Sequence, residues 1–216
     1  MEKEKILVTI SRQFASGGSL IGQALARRLN FAYFDREILR RATEHLGEEE
    51  ARIEGREERL SGFFESVIRP FIFGSPETAY VPPPLRPVDD RDIFRSEAAV
   101  IRGFAKKYDA VFVGRCASDI LREEPGLISV SLHAPIEFRI KQAMKTYVIE
   151  DEDEARELAV KKDHERGKFI KTMTGADWND ARNYHLCIDT QKAGFRAAEE
   201  MIALLVEEAR TKIRGK

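Results

Sequence analysis

The stretch from Ile6 to Leu29, ILVTISRQFASGGSLIGQALARRL, constrains this chain most. An apolar run (Ile6, Leu7, Val8, Ile10) leads into a small polar loop, residues 11–19. A helix-period segment follows, with Ile21, Leu25 and Leu29 on one face. Strand, Gly/Ser-rich turn and helix in that order offer an anion the unpaired amides of a first helical turn, reinforced by the helix dipole. The same turn also serves simply to reverse the chain between two elements.

The phosphate-loop pattern G-x-x-x-x-G-K-[ST] is met only in part. Laid over the loop, it puts Arg12 at the first Gly, Gly17 at the second, Gly18 at the Lys and Ser19 at the hydroxyl. A backbone cradle is compatible with these residues, but the phosphate-gripping ammonium is missing from its usual place. Arg12 is the nearest cation that could substitute.

Further strands are predicted at Ala32–Phe34, Ala110–Gly114, Leu127–His133 and His185–Asp189, beside the first at Lys5–Ser11. Helical patterns intervene at Gly18–Leu29, Arg36–Leu46, Asp92–Lys107, Pro135–Thr146, Glu152–Phe169 and Gly194–Arg210. Val/Ile-rich strands separated by helices predict βαβ units and a mostly parallel sheet. Ligands on such sheets bind beyond the carboxyl ends of the strands, which would gather the first loop, the Asp35 turn and Gly114-Arg115. Two excursions interrupt the alternation. Residues 61–91 hold six of the eight prolines, which rules out a continuous helix there. Residues 146–180 are highly charged and fit a helical lid. Neither is large enough to be a second domain, so one domain over 1–216 is expected.

Hydrophobic residues make up 43% of the chain, which excludes wholesale disorder. A net charge of −1 with 34% charged residues argues against a dedicated nucleic-acid binder, which would be one-sidedly basic. No apolar run approaches a membrane span, and the N-terminal run is too short for a secretory signal. Cys116 and Cys187 lack paired spacing and are expected in apolar surroundings, so a reduced cytoplasm fits.

With these pieces in order, the chain resembles the cytidylate kinase-like family of P-loop nucleotide kinases over roughly Ile6 to Leu205. The resemblance is carried by ISRQFASGG (10–18), FAYFDREILRRA (31–42), VFVGRCASDIL (111–121), KKDHERGKFIKTMTG (161–175) with WND (178–180), and NYHLCIDT (183–190). It implies an α/β, P-loop nucleotide kinase-like three-layer fold with a mostly parallel five-stranded sheet and a helical lid. The Pro-rich excursion lies outside it. The branch with an I-S-R-Q opening shares the loss of the loop lysine. Where cytidylate kinases carry Asp before Gly-Arg, this chain has Val113.

The resemblance also implies ATP and Mg2+ as cofactors. Ser11, Arg12, Ser16, Gly17, Gly18, Ser19 and Lys162 would hold the donor, with Ser19 at the metal. Asp35, Arg36, Arg41, Arg115, Asp119 and Asp163 would face the acceptor. Arg12, Arg115, Arg166 and Lys168 would stabilise the transferring group, Lys162 and Arg166 sharing one helix face. Structural alternatives stand beside several of these. Asp35 could cap the following helix, Arg115 could form a strand-end salt bridge, Arg41 and Asp119 could face solvent, and Asp163 could orient Arg166. Trp178 and Tyr184 are expected to pack the lid base, with base stacking as the alternative.

The expected function is ATP-dependent phosphoryl transfer to a small molecule, a nucleoside monophosphate such as CMP. A catalytically silent nucleotide-binding or signalling module is the alternative, and loops that are ordinary turns with no nucleotide affinity are a third. A nucleotide is the expected partner, without nucleic acid or membrane, and the Pro-rich excursion could mediate a homo-oligomer.

Overall fold

The computed structural model describes residues 4–40 and 90–214. Five strands form one sheet: β1 (Leu7–Arg12), β2 (Ala32–Phe34), β3 (Ala110–Val113), β4 (Leu127–His133) and β5 (Leu186–Asp189). Their order is β2-β3-β1-β4-β5 and every pairing is parallel. β1 lies at the centre, with Ile10 beside Val113 on one flank and Val130 on the other. A parallel strand in that position is covered on both faces, which is why LVTISR begins with four buried residues in a row.

Seven helices accompany the sheet among the described residues: α1 (Gly18–Leu29), α2 (Asp90–Lys107), α3 (Ala117–Ile120), α4 (Ile136–Tyr147), α5 (Glu152–Thr174), α6 (Thr190–Ala193) and α7 (Phe195–Arg214). Residues 36–40 are also helical, and residues 181–183 form a 3-10 turn. Side chains alternate between the sheet's faces, so β1 and β3 show which helix covers which. On one face Ile10, Val113 and Tyr33 meet α1 at Gly22. On the other, Phe34 stacks with Phe104 of α2 and with Phe112, with ring centroids 4.5 Å and 5.0 Å apart. Helices therefore cover both sides, giving the three layers expected. A smaller cluster, Ile140, Ala143 and Ala155, joins α4 to α5.

Several predicted boundaries move for identifiable reasons. α5 runs on past Phe169 to Thr174, because Ile170 is still buried and the stop falls at Gly175, whose φ of 76° suits a glycine. Its start is fixed by Asp151, whose side chain accepts from the Glu154 amide. α2 opens at Asp90 rather than Asp92, and α7 continues to Arg214. α3 and α6 are too short to leave a periodic signal. Cys116 is buried as expected, but Cys187 is exposed on the edge strand β5. The predicted helix beyond residue 40 lies outside the described residues, as do Arg41, the Pro-rich excursion up to residue 89, and any oligomer contact through it. Among the described residues, no helix is long and apolar enough to cross a membrane.

Candidate functional site

The loop leaving β1 is braced by hydrogen bonds from Gln13 and Ser16. Gln13 N donates to the Leu132 carbonyl at 3.0 Å, and Gln13 Oε1 accepts from Ala134 N at 3.1 Å. Ser16 is fully buried, and its Oγ donates toward the carbonyls of Gln13 (2.9 Å) and Leu132 (3.3 Å). This corrects its expected role: the Ser16 hydroxyl braces the loop from beneath instead of facing a ligand. Gly17 turns the chain with φ 85°, and a Cβ there would lie 2.5 Å from the Phe195 ring. The amides of Gly17, Gly18, Ser19 and Leu20 have no partner among the described residues. They sit at the start of the twelve-residue helix α1, where an anion is favoured.

Arg12 fills the place beside this loop. A Cβ on Gly18 would come 2.6 Å from Arg12 Cγ, and one on Gly114 would all but coincide with Arg12 Nη1, at 1.9 Å. The side chain therefore runs over one glycine and ends against the other, a route that a side chain at either position would block. Burial, with Arg166 adding repulsion, lowers the Arg12 pKa to about 10, so the group remains cationic at neutral pH. Burial, reinforced by the negative charge of Asp35, pushes the neighbouring Tyr33 hydroxyl up, keeping it protonated.

The lid helix is fastened to the loop by Asp163. One carboxylate oxygen accepts from Phe14 N at 2.7 Å and from Arg166 Nη1 at 3.4 Å; the other accepts from Arg139 Nη1 at 2.7 Å. Arg139, buried in α4, also donates to the carbonyls of Ala134 (2.9 Å) and Phe14 (3.3 Å). Arg166 Nη1 donates to the Arg12 carbonyl at 2.6 Å. Asp163 is thus committed to holding α5 on the loop, and it orients Arg166 instead of facing an acceptor.

Two cavities open on this framework. The loop cavity, about 100 Å3, lies over Gly17, Gly18 and Ser19, with Phe14 and Tyr147 at its side. The second, about 240 Å3, lies at the carboxyl end of the sheet and is lined by Ser11, Arg36, Arg115, Asp119, Lys162 and others. Arg12 and Arg166 are the two residues that line both.

The remaining expected residues separate accordingly. Ser11 belongs to the sheet-end cavity, not the loop, and its Oγ hydrogen-bonds the Tyr184 hydroxyl at 3.1 Å. Lys162 also lies there, paired with Glu165 at 3.2 Å. Arg115 is paired with the buried Glu97, and its guanidinium lies 5.3 Å from the Phe169 ring centroid. Its Nε, Glu97 Oε2 and Thr9 Oγ1 are buried without partners among the described residues. Asp119 accepts from Arg122 at 2.7 Å, and burial raises its pKa. Asp35 accepts from the amides of Glu37 (3.0 Å) and Ile38 (3.1 Å), capping the helical residues 36–40, and lines neither cavity.

Lys168 is not brought to the two shared arginines. It lies on another side of α5, in a surface depression beside Trp178, Asp177 and Asn179. Lys168→Ala is therefore expected to leave kcat unchanged where Arg166→Ala lowers it, a contrast that steady-state kinetics on the two variants would check. Trp178 packs on the lid at Gly167, where a Cβ would meet its Nε1 at 2.8 Å, and its carbonyl accepts from the Tyr184 hydroxyl at 2.8 Å. Both aromatics thus pack the lid base. Sequence reasoning missed Phe14, Tyr33, Glu97, Arg139 and Tyr147. Four of these sit in ordinary helix or strand patterns that carry no sign of a site, and Phe14 is an apolar residue in a polar loop.

A model of the cytidylate kinase-like family matches residues 7–192. No curated protein matches the sequence. Among solved structures, an uncharacterized protein from Eubacterium ventriosum ATCC 27560 is similar with 24% identity over 94% of this chain and 99% of that one, at a TM-score of 0.67, and shows the same fold. A shikimate kinase from Bacteroides thetaiotaomicron (11% identity, 94% and 98% covered, TM-score 0.49) and a gluconokinase from Sinorhizobium meliloti 1021 (16%, 98% and 99%, 0.48) are more remote, too distant to bear on this site.

Proposed function

The chain belongs to the cytidylate kinase-like family, and we propose that it transfers a phosphoryl group from ATP to a small anionic acceptor, a nucleoside monophosphate such as CMP. One observation carries this: the loop cavity and the sheet-end cavity share Arg12 and Arg166. The unpaired amides of Gly17, Gly18, Ser19 and Leu20 suit donor phosphates. In the sheet-end cavity five cationic side chains, Arg12, Arg36, Arg115, Lys162 and Arg166, outnumber the carboxylates Asp119 and Glu165, which suits an anionic acceptor. A group passing from one cavity to the other meets both shared guanidinium groups.

Phosphoryl transfer needs little covalent help from a protein; it needs the reactants aligned and the charge on the equatorial oxygens neutralised. Arg12 and Arg166 supply that charge from fixed positions, one held between two glycines and the other by Asp163 and the Arg12 carbonyl. α5 covers the junction and limits water, the competing acceptor. Mg2+, when bound, neutralises donor phosphate charge. No group of three or more His, Cys, Asp or Glu side chains suited to a metal occurs among the described residues. The ion would therefore rest mainly on the donor's phosphates, with Ser19 as the protein hydroxyl.

The missing lysine and Val113 favour a second reading, a module that binds nucleotide without transferring it. Incubating the full chain with ATP, Mg2+ and CMP, dCMP or UMP separates the two by chromatography. ADP formed in step with a nucleoside diphosphate is expected with at least one acceptor. Calorimetric nucleotide binding with no product from any of them would overturn transfer in favour of the silent module.

A further inference from the structure

Arg166 has an anchored side and a free side. Its Nη1 donates to the Arg12 carbonyl at 2.6 Å and reaches Asp163 at 3.4 Å. Its Nε and Nη2 form the edge of a guanidinium that can grip two phosphate oxygens at once. Neither has a hydrogen-bond partner among the described residues. One anchored nitrogen leaves the plane of the group free to swing about it. Such a swing would turn the free edge away from the junction of the two cavities.

Trp178 stands where it stops that swing. The Arg166 Cζ lies 5.9 Å from the indole ring centroid, within the reach of about 6 Å for a cation over an aromatic face. The residue is itself held at two points. Its indole lies against α5 at Gly167, next in sequence to Arg166, where a Cβ would come 2.8 Å from Nε1. Glycine inside a helix lowers stability relative to alanine, so this position favours the indole over the helix. The Trp178 carbonyl accepts from the Tyr184 hydroxyl at 2.8 Å, and that hydroxyl also hydrogen-bonds Ser11 Oγ of β1 at 3.1 Å.

Resting on the transfer reading above, we infer that Trp178 is a positioning residue: it holds the Arg166 guanidinium in the plane from which its free edge meets the transferring group. Trp178 lines neither of the two cavities that Arg166 shares, so it acts only through the arginine. Its removal therefore slows transfer without weakening the binding of either reactant, because alignment is what is lost.

The test is steady-state kinetics of the full chain with ATP, Mg2+ and whichever of CMP, dCMP or UMP is turned over, with thermal melting alongside. The variants are Trp178→Ala, Trp178→Phe, Arg166→Ala and the double variant Trp178→Ala with Arg166→Ala. Trp178→Ala should lower kcat roughly tenfold to a hundredfold, the scale of a misplaced reacting group, with both KM values within about twofold of wild type. Trp178→Phe should recover most of the rate, because it keeps an aromatic face. Without Arg166 the tryptophan has nothing to position, so the double variant should be no slower than Arg166→Ala alone. Gly167→Ala keeps the indole but displaces it, and should reproduce the kcat loss even if Trp178→Ala does not fold. An unchanged kcat in folded Trp178→Ala or in Gly167→Ala, or losses that add in the double variant, overturns the positioning role and leaves transfer intact. A wild type that forms no product removes transfer and the positioning role together.

Discussion

Replacing Arg12 with methionine should lower kcat by about 10³-fold while leaving the fold intact, the scale of losing one fixed cation from a phosphoryl-transfer site. Methionine keeps an apolar stem over Gly18 and removes the charge that ends against Gly114. Stability should move the other way or stay level. The guanidinium is buried and repelled by Arg166, the two causes that bring its pKa down to about 10, so its charge is held at a cost to the folded state. Steady-state kinetics alongside thermal melting would check both halves. A variant that melts like wild type and loses less than about tenfold in kcat would reduce Arg12 to a strand-end residue with no part in stabilising the transition state.

Asp163→Ala should cost about 3 kcal/mol of folding stability, since it strips the partner from a buried charge. For a chain of this size that lowers the melting temperature by roughly 6–12 °C. The loss spreads over three contacts: Phe14 N and Arg139 Nη1, both at 2.7 Å, and Arg166 Nη1 at 3.4 Å. Because Arg139 keeps its bonds to the Ala134 and Phe14 carbonyls, the loop should remain in place while the lid loosens. Thermal melting decides the energetics. A shift under about 2 °C would mean that Asp163 is no tether but one more weak ion pair of the surface kind.

The sheet was legible because each strand is a short, mainly apolar run closed by a turn. Ala32–Phe34 and Leu127–His133 match the structure residue for residue. Strand order was not legible: no local pattern states that β1 lies between β3 and β4. Helical spacing put Lys162 and Arg166 on one face correctly, but Lys168 follows two residues later, about 200° further round the helix, and lands elsewhere. Ser16, and Asp35 in the capping alternative named for it, behave alike for a shared reason. A short polar side chain near a helix start can serve the backbone as readily as a ligand, and in both cases it serves the backbone. Arg139 and Asp163 lie on different helices, and their pairing with Phe14 follows only once α4 and α5 have folded over the loop.

The passage of Arg12 between Gly18 and Gly114 makes two ways of placing a cation at this loop compete for the same space. Placing a lysine at position 18 in one step would drive its Cβ to 2.6 Å from the arginine stem already there. Shrinking the arginine first would leave an intermediate with neither cation. The two ways of supplying positive charge to this loop are therefore mutually exclusive in space, and exchanging one for the other requires both positions to change together.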